Sequence, residues 1–178
     1  MAPMSLLGQA RTTTRPERPR GGLLHARLYR HGLWPATEAQ WLDEPGQDDV
    51  LVRVSHGLAL RIPVGPGRSG DLLLADAGGL LTRFVLGPAR PPRARMLSTL
   101  LAYRTPSGGA VVLGAQANGV ESFELSCATE DGDVRVFADL RLSCRVSDEE
   151  VSFDPVRHPL PGLEPRPGTE RARYPRSA

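Results

Sequence analysis

Between Val134 and Cys144 the chain changes side-chain character at almost every step, and this period of two constrains the fold more than any other feature. Val134, Val136, Ala138, Leu140, Leu142 and Cys144 share one parity, Arg135, Asp139, Arg141 and Ser143 the other, with Phe137 the exception. Successive side chains of a strand point to opposite faces, so the pattern predicts a strand with one face in a core and the other mostly in solvent. Just upstream, Phe123, Leu125 and Cys127 alternate with Ser122, Glu124 and Ser126, and Glu130-Asp131-Gly132-Asp133 supplies a turn. Together they predict a hairpin. Folding about that turn places Cys127 near Phe137 and Cys144 several residues farther on, so the two thiols are not expected to meet.

The same texture recurs from Gly21 onward in LLHARLY, DVLVRVS, LALRIPV, DLLLAD, LTRFVL and AVVLGAQA, separated by Gly, Pro and Asp. Many short strands at this spacing predict an antiparallel sandwich or barrel. Two short helices are also expected: Thr37 can cap TEAQWL, and Arg93–Tyr103 puts Met96, Leu97, Leu100, Leu101 and Tyr103 at helical spacing after a Pro-Pro stop. With 178 residues, 40% of them hydrophobic, the chain suits one domain with a real core. Residues 1–20 carry Arg11, Arg15, Arg18 and Arg20 with little apolar content and read as a disordered arm. The domain itself is expected over residues 21–160, with a Pro/Arg-rich tail over 161–178.

Charge excludes more than it suggests. All 22 basic residues are arginine, which together with 19 Gly and 17 Pro reflects a GC-rich genome, and a net charge of +2 supports no electrostatic partner. The arginines lack interleaved aromatics for base stacking, so no nucleic-acid partner is expected. No apolar run approaches a membrane-crossing length, and the N-terminus lacks the order of a signal peptide, so a cytoplasmic protein is expected. Both cysteines lie on the apolar parity of their strands and read as buried, unpaired thiols of a reducing compartment. Gly65-Pro66-Gly67-Arg68-Ser69-Gly70 lacks the lysine of a phosphate-binding loop and reads as a turn. Ser55, His56 and Asp71 match a hydrolase triad by type alone, and His31, His56 and His158 have no zinc-ligand spacing.

Four segments, in order, resemble haem-dependent catalases. Leu23-Leu24-His25-Ala26-Arg27 is similar to the strand carrying the distal histidine, and Val52-Arg53-Val54-Ser55 to the next strand, with its propionate-binding arginine and histidine-orienting serine. Gly57–Ile62 followed by Asp71-Leu72-Leu73 resembles the third and fourth strands. Phe153-Asp154-Pro155 and PLPGLEP, ending in Arg171 and Tyr174, resemble the approach to the proximal tyrosine. The family implies a mostly β fold, an antiparallel catalase-like barrel with one or two short helices, here as a short bacterial member.

The resemblance further implies haem as cofactor and hydrogen peroxide as substrate, in dismutation or peroxidase turnover. His25 would move the proton between peroxide oxygens and Ser55 would orient its imidazole. Arg53 would pair with a propionate, Tyr174 would ligate the iron, and Arg171 would hold Tyr174 as phenolate. The chain departs from the family in lacking the distal asparagine after Asp71-Leu72, in having Gly22 and Glu170 at arginine positions, and in lacking the long arm and helical domain. A second reading is therefore a haem-free barrel of the same fold, binding a small apolar ligand or serving a structural role without redox activity. The sequence leaves oligomeric state open, a homo-oligomer included.

Overall fold

The computed structural model describes residues 22–55, 57–76, 96–99 and 101–166. The arm over residues 1–20, and Arg171 and Tyr174, lie outside them. The described strands are β1 (Leu23–Arg30), β2 (Gly46–Val54), β3 (Leu58–Gly65), β4 (Arg68–Asp76), β5 (Met96–Thr99), β6 (Tyr103–Arg104), β7 (Ala110–Ala117), β8 (Ser122–Thr129), β9 (Val134–Ser147) and β10 (Glu164–Pro165). One helix, α1 (Gln40–Asp43), is present among the described residues.

Antiparallel pairing runs β7-β5-β4-β3-β2-β1-β9-β8, and β8 pairs back onto β7, so eight strands close into a barrel. Closure satisfies backbone N–H and C=O groups that an open sheet would leave at its edges. The alternating runs thus do produce a mostly β antiparallel barrel with a short helix. β6 pairs with β7 beyond the end of β5, and β10 pairs with β6.

Inward side chains from all eight strands meet in one core. Leu28, Val52, Leu60, Leu72, Leu113, Leu125 and Leu140 are each fully buried, and all belong to a single packed cluster. One barrel end is stoppered by chain outside the ring. Leu33, Trp41 and Leu42 come from the segment around α1, Leu160 and Leu163 from the C-terminal stretch, and all join the same cluster. Two close approaches fix this stopper. A side chain at Gly162, whose φ is 79°, would strike Ala39 Cα at 2.7 Å, and Leu160 occupies the space that a Cβ on Gly70 would need. Arg30 ties the stopper to the ring: it donates to Asp48 at 2.8 Å and to the carbonyls of Trp41 and Glu44 at 2.8 and 2.9 Å.

The β8–β9 hairpin forms around Gly132, whose φ is 80°, but its register differs from a simple ladder. Leu125 faces Ala138 and Ser126 faces Val136, leaving Phe137 as a bulge. The extra residue changes parity along β9. Phe137, Ala138 and Leu140 point into the core, whereas Val136 is turned outward and Val134 packs with Ala102, Val112 and Ala128 in a small outer cluster. Cys127 accordingly faces Arg135 rather than Phe137. A second irregularity falls between Leu24↔Val146 and Ala26↔Leu142, so Ser143, Cys144 and Arg145 loop out of register. Cys144 is therefore exposed, not buried as its parity predicts, while Cys127 is buried and both are unpaired.

The helix expected over Arg93–Tyr103 is not formed among its described residues. Met96–Thr99 is β5, pairing with both β4 and β7, and Tyr103–Arg104 is β6. Ring closure outweighs the weak helical preference of four or five residues. Within β5, Leu97 joins the core, Met96 joins the outer cluster, and the Thr99 hydroxyl accepts the Leu113 N–H at 3.2 Å. At α1, Thr37 caps no helix end. It accepts from the Ala39 N–H at 3.2 Å, while its own N–H and hydroxyl donate to the Asp43 carboxylate.

Parity after the bulge gives a direct test. Leu140→Asp buries a charge without a partner and should cost roughly 3–5 kcal/mol, much of a domain's stability. Arg141→Asp, one residue away on the outer face, should cost at most about 1 kcal/mol, chiefly a cation–π contact. Chemical denaturation of the two variants checks this; equal losses would contradict the assignment of inner and outer faces.

Candidate functional site

His25 is the third residue of β1, opposite Leu51 of β2. Its neighbours Ala26 and Leu28 fill the interior, so His25 is carried on the outer face, half-buried. Among the described residues its imidazole has no hydrogen-bond partner. Ser55 is exposed in the bend after β2, four residues beyond Leu51, which at strand spacing is roughly 13 Å along the chain. Arg53 shares the outer face but is engaged elsewhere: it donates to the Val151 carbonyl at 3.3 Å and lies over the Phe153 ring at 5.2 Å. Arg53, opposite Leu23, stands diagonally from His25 on this face, but the strap described below holds its guanidinium. As a cradle for haem the described residues do not fit, because the guanidinium that would meet a propionate is held by Val151 and Phe153, and the hydroxyl that would orient the histidine lies in the exposed bend beyond it.

Arg53 belongs instead to a different construction. Residues 151–158 run back across the outer face of β2, β3 and β4, and the anchor is Asp71, a β4 residue only 1% exposed. Its carboxylate receives both Arg61 Nε at 2.8 Å and Nη2 at 2.6 Å, together with the Asp154 N–H at 2.8 Å. Its own N–H donates to the His158 carbonyl at 2.7 Å. Phe153 sits against both Arg53 and Arg61, whose guanidinium carbons lie 5.2 and 5.7 Å from the ring. Asp154 is itself held below the usual carboxylate range, first by the Arg157 backbone N–H, then by that of Val156. Asp71 is thus committed to fastening a strap; its candidate triad partner Ser55 is exposed in a bend, and His56 lies outside the described residues.

The polar side chains that do converge lie where β1 meets β9, at the rim of the stoppered end. Tyr29, Arg30, His31, Gln47, Asp139 and Arg141, with Pro45 and Gly46, line a cleft of about 450 Å³. His31 follows β1 and is drawn to β9 by its N–H, which donates to the Phe137 carbonyl at 2.7 Å. That places Nε2 2.9 Å from Asp139 Oδ2. Arg141 lies over the Tyr29 ring at 5.1 Å. Across the strands from it, Arg27 is neutralised by Asp49 at 3.1 Å, and Glu124 stands opposite Asp139. Arg141 has no carboxylate within ion-pair distance among the described residues. A second depression, of about 530 Å³, follows the C-terminal stretch; its lining includes Arg68, Arg104 and Glu164 beside four prolines, and Arg104 is paired with Glu164.

Sequence reasoning passes over this cleft. His31 is dismissed there for lack of metal-ligand spacing, and Asp139 and Arg141 appear only as the solvent parity of a strand. The signal is that same outward parity, shared by Arg27 and Tyr29; the pairing that brings residues 108 positions apart together is not local. No known protein family matches this chain, and no curated protein is significantly similar to it.

The two cysteines give contrasting outcomes. Burial pushes the Cys127 thiol up to about 12, removing the thiolate that reacts with alkylating agents. At pH 8, iodoacetamide should label Cys144 rapidly and Cys127 only after unfolding, with one labelled site per native chain by mass spectrometry. For the strap, Asp71→Ala strands three donors, two from Arg61 and the Asp154 N–H, and should cost roughly 3–5 kcal/mol. Limited proteolysis within residues 151–158 should accelerate with it, and an unchanged cleavage rate there would remove Asp71 as the anchor.

Proposed function

We propose that this chain is a haem-free barrel that binds a small ligand on its outer surface, at the rim between β1 and β9, and carries out no redox reaction. The observation that carries this reading is the filled interior: side chains from all eight strands, with Trp41, Leu160 and Leu163 closing one end, form one contiguous core. A barrel of eight strands is just wide enough to be filled by its own side chains, and a macrocycle would have to displace them. Supporting it, the strap takes up Arg53, and Ser55 lies in an exposed bend. The same reading puts the protein in the cytoplasm, in keeping with two unpaired thiols.

The rival is a catalase-like or peroxidase-like haem protein with Tyr174 as the iron ligand. Titration of purified protein with haemin separates the two. Expected is a non-saturating spectrum, unchanged in Tyr174→Phe, and no peroxide turnover that His25→Ala removes. A saturable high-spin phenolate spectrum, abolished by Tyr174→Phe, would overturn the haem-free reading.

A further inference from the structure

We propose that the cleft between β1 and β9 is a binding site for a small phenolic carboxylate, with the carboxylate on Arg141 and the phenol hydroxyl on the His31–Asp139 pair. The proposal rests on the haem-free reading and names the ligand class for its outer site.

Three features of the cleft lead to this class. The first is an available cation. The other arginines around the cleft are already neutralised: Arg27 by Asp49, and Arg30 by Asp48 with Nε–Oδ2 at 2.8 Å. Arg141 instead has its guanidinium carbon 5.1 Å from the Tyr29 ring centre and no carboxylate at ion-pair distance among the described residues, so its fork can take a ligand's carboxylate. Its charge is the one in this cleft that a ligand can complete.

The second is an oriented acceptor. His31 Nε2 holds Asp139 through Oδ2 alone, and Oδ1 has no partner among the described residues. A carboxylate fixed in this way accepts from a hydroxyl and repels a second carboxylate, so it reads one end of a ligand as a donor. Glu124, opposite Asp139, reinforces that repulsion. An anion is therefore accepted at the Arg141 end and refused at the other.

The third is spacing and surface. Asp139 and Arg141 are two residues apart on the same face of β9, so their Cα atoms are about 7 Å apart. A benzene ring carrying a carboxylate and a hydroxyl para to each other spans a comparable length. Its apolar body would lie against Pro45 and Tyr29, while the Gln47 amide can serve either end. Gly46 keeps the floor low: a side chain there would meet Arg30 Nη2 at 2.7 Å, and Arg30 is pinned by the carbonyls of Trp41 and Glu44.

The test uses 4-hydroxybenzoate, benzoate and phenol as probes, with binding followed by calorimetry on the full chain. Expected is saturable binding of 4-hydroxybenzoate about tenfold tighter than of either single-function probe, the effect of one hydrogen bond to a charged group. Arg141→Gln should bring 4-hydroxybenzoate down to the level of phenol, and Asp139→Asn to the level of benzoate, since each removes one end of the recognition. Both side chains are on the surface, and near-ultraviolet circular dichroism would confirm that the variants remain folded. No saturable binding of 4-hydroxybenzoate at millimolar concentration, or equal affinity for the three probes, would overturn the proposal. Haemin added to the same preparations keeps the two levels apart. Saturable haem binding defeats the reading beneath, whereas loss of the phenolic-acid signal without haem binding defeats only this site.

Discussion

The bulge at Phe137 is the constraint on which the rest depends. In a regular ladder, inner and outer residues keep one parity throughout, and a slip of one residue sends every side chain to the opposite face. Here the slip is built in. Before Phe137 the outer face carries Val134 and Val136; after it, Ala138 and Leu140 turn inward and Asp139 and Arg141 outward. The displaced ring is spent on the stopper, meeting Trp41 edge-on with centroids 5.6 Å apart. The carbonyl of the same residue accepts the His31 N–H, so one irregularity both packs the end of the barrel and sets the histidine beside Asp139.

Arginine does three kinds of work in a chain that has no lysine, and the magnitudes differ. Exposed pairs such as Arg104–Glu164 and Arg166–Glu130 are well solvated and contribute between nothing and about 1 kcal/mol each. Arg61 and Arg30 act where carboxylates are sheltered, and their forks bind carbonyls as well as carboxylates, tying the strap and α1 to the ring. In a third role, guanidinium groups lie over the rings of Phe153, Trp41 and Tyr29. A compact ammonium would reproduce the first role and lose most of the other two.

What could be read from the sequence follows from what is local. The period of two exposes β8 and β9, their turn and the eight-residue runs of β1 and β3, since a strand's burial pattern is written in its own residues. Phe137 breaks that pattern visibly, yet a bulge is specified by the partner strand as much as by the bulged one, so its consequence for Val136 is hidden, as is that of the separate irregularity against β1 for Cys144. The segment from Met96 to Tyr103 misleads for the opposite reason. Its spacing suits a helix, but the gap between β4 and β7 decides, and that gap exists only once the ring is assembled. The contact of Asp71 and Arg61 with the strap is hidden on the same grounds: a buried carboxylate on an outward parity has meaning only when another stretch of chain lies over it.

The catalase-like order of segments can be reconsidered from this packing. Phe153-Asp154-Pro155 and PLPGLEP are the stretches that suggest an approach to an iron ligand, yet in the described structure they have structural work of their own. Phe153 and Asp154 close on Arg53, Arg61 and Asp71, and Pro155 is buried behind them. Leu160 and Leu163 enter the core, and between them Gly162 adopts a positive φ against Ala39 where no Cβ could fit. Each of these residues has a packing reason to be what it is without invoking a cofactor. A filled barrel whose end is sealed by its own chain keeps its interior for packing, and on the outside the parity reversal at Phe137 has gathered a histidine, a carboxylate, a phenol and an unneutralised guanidinium around one cleft.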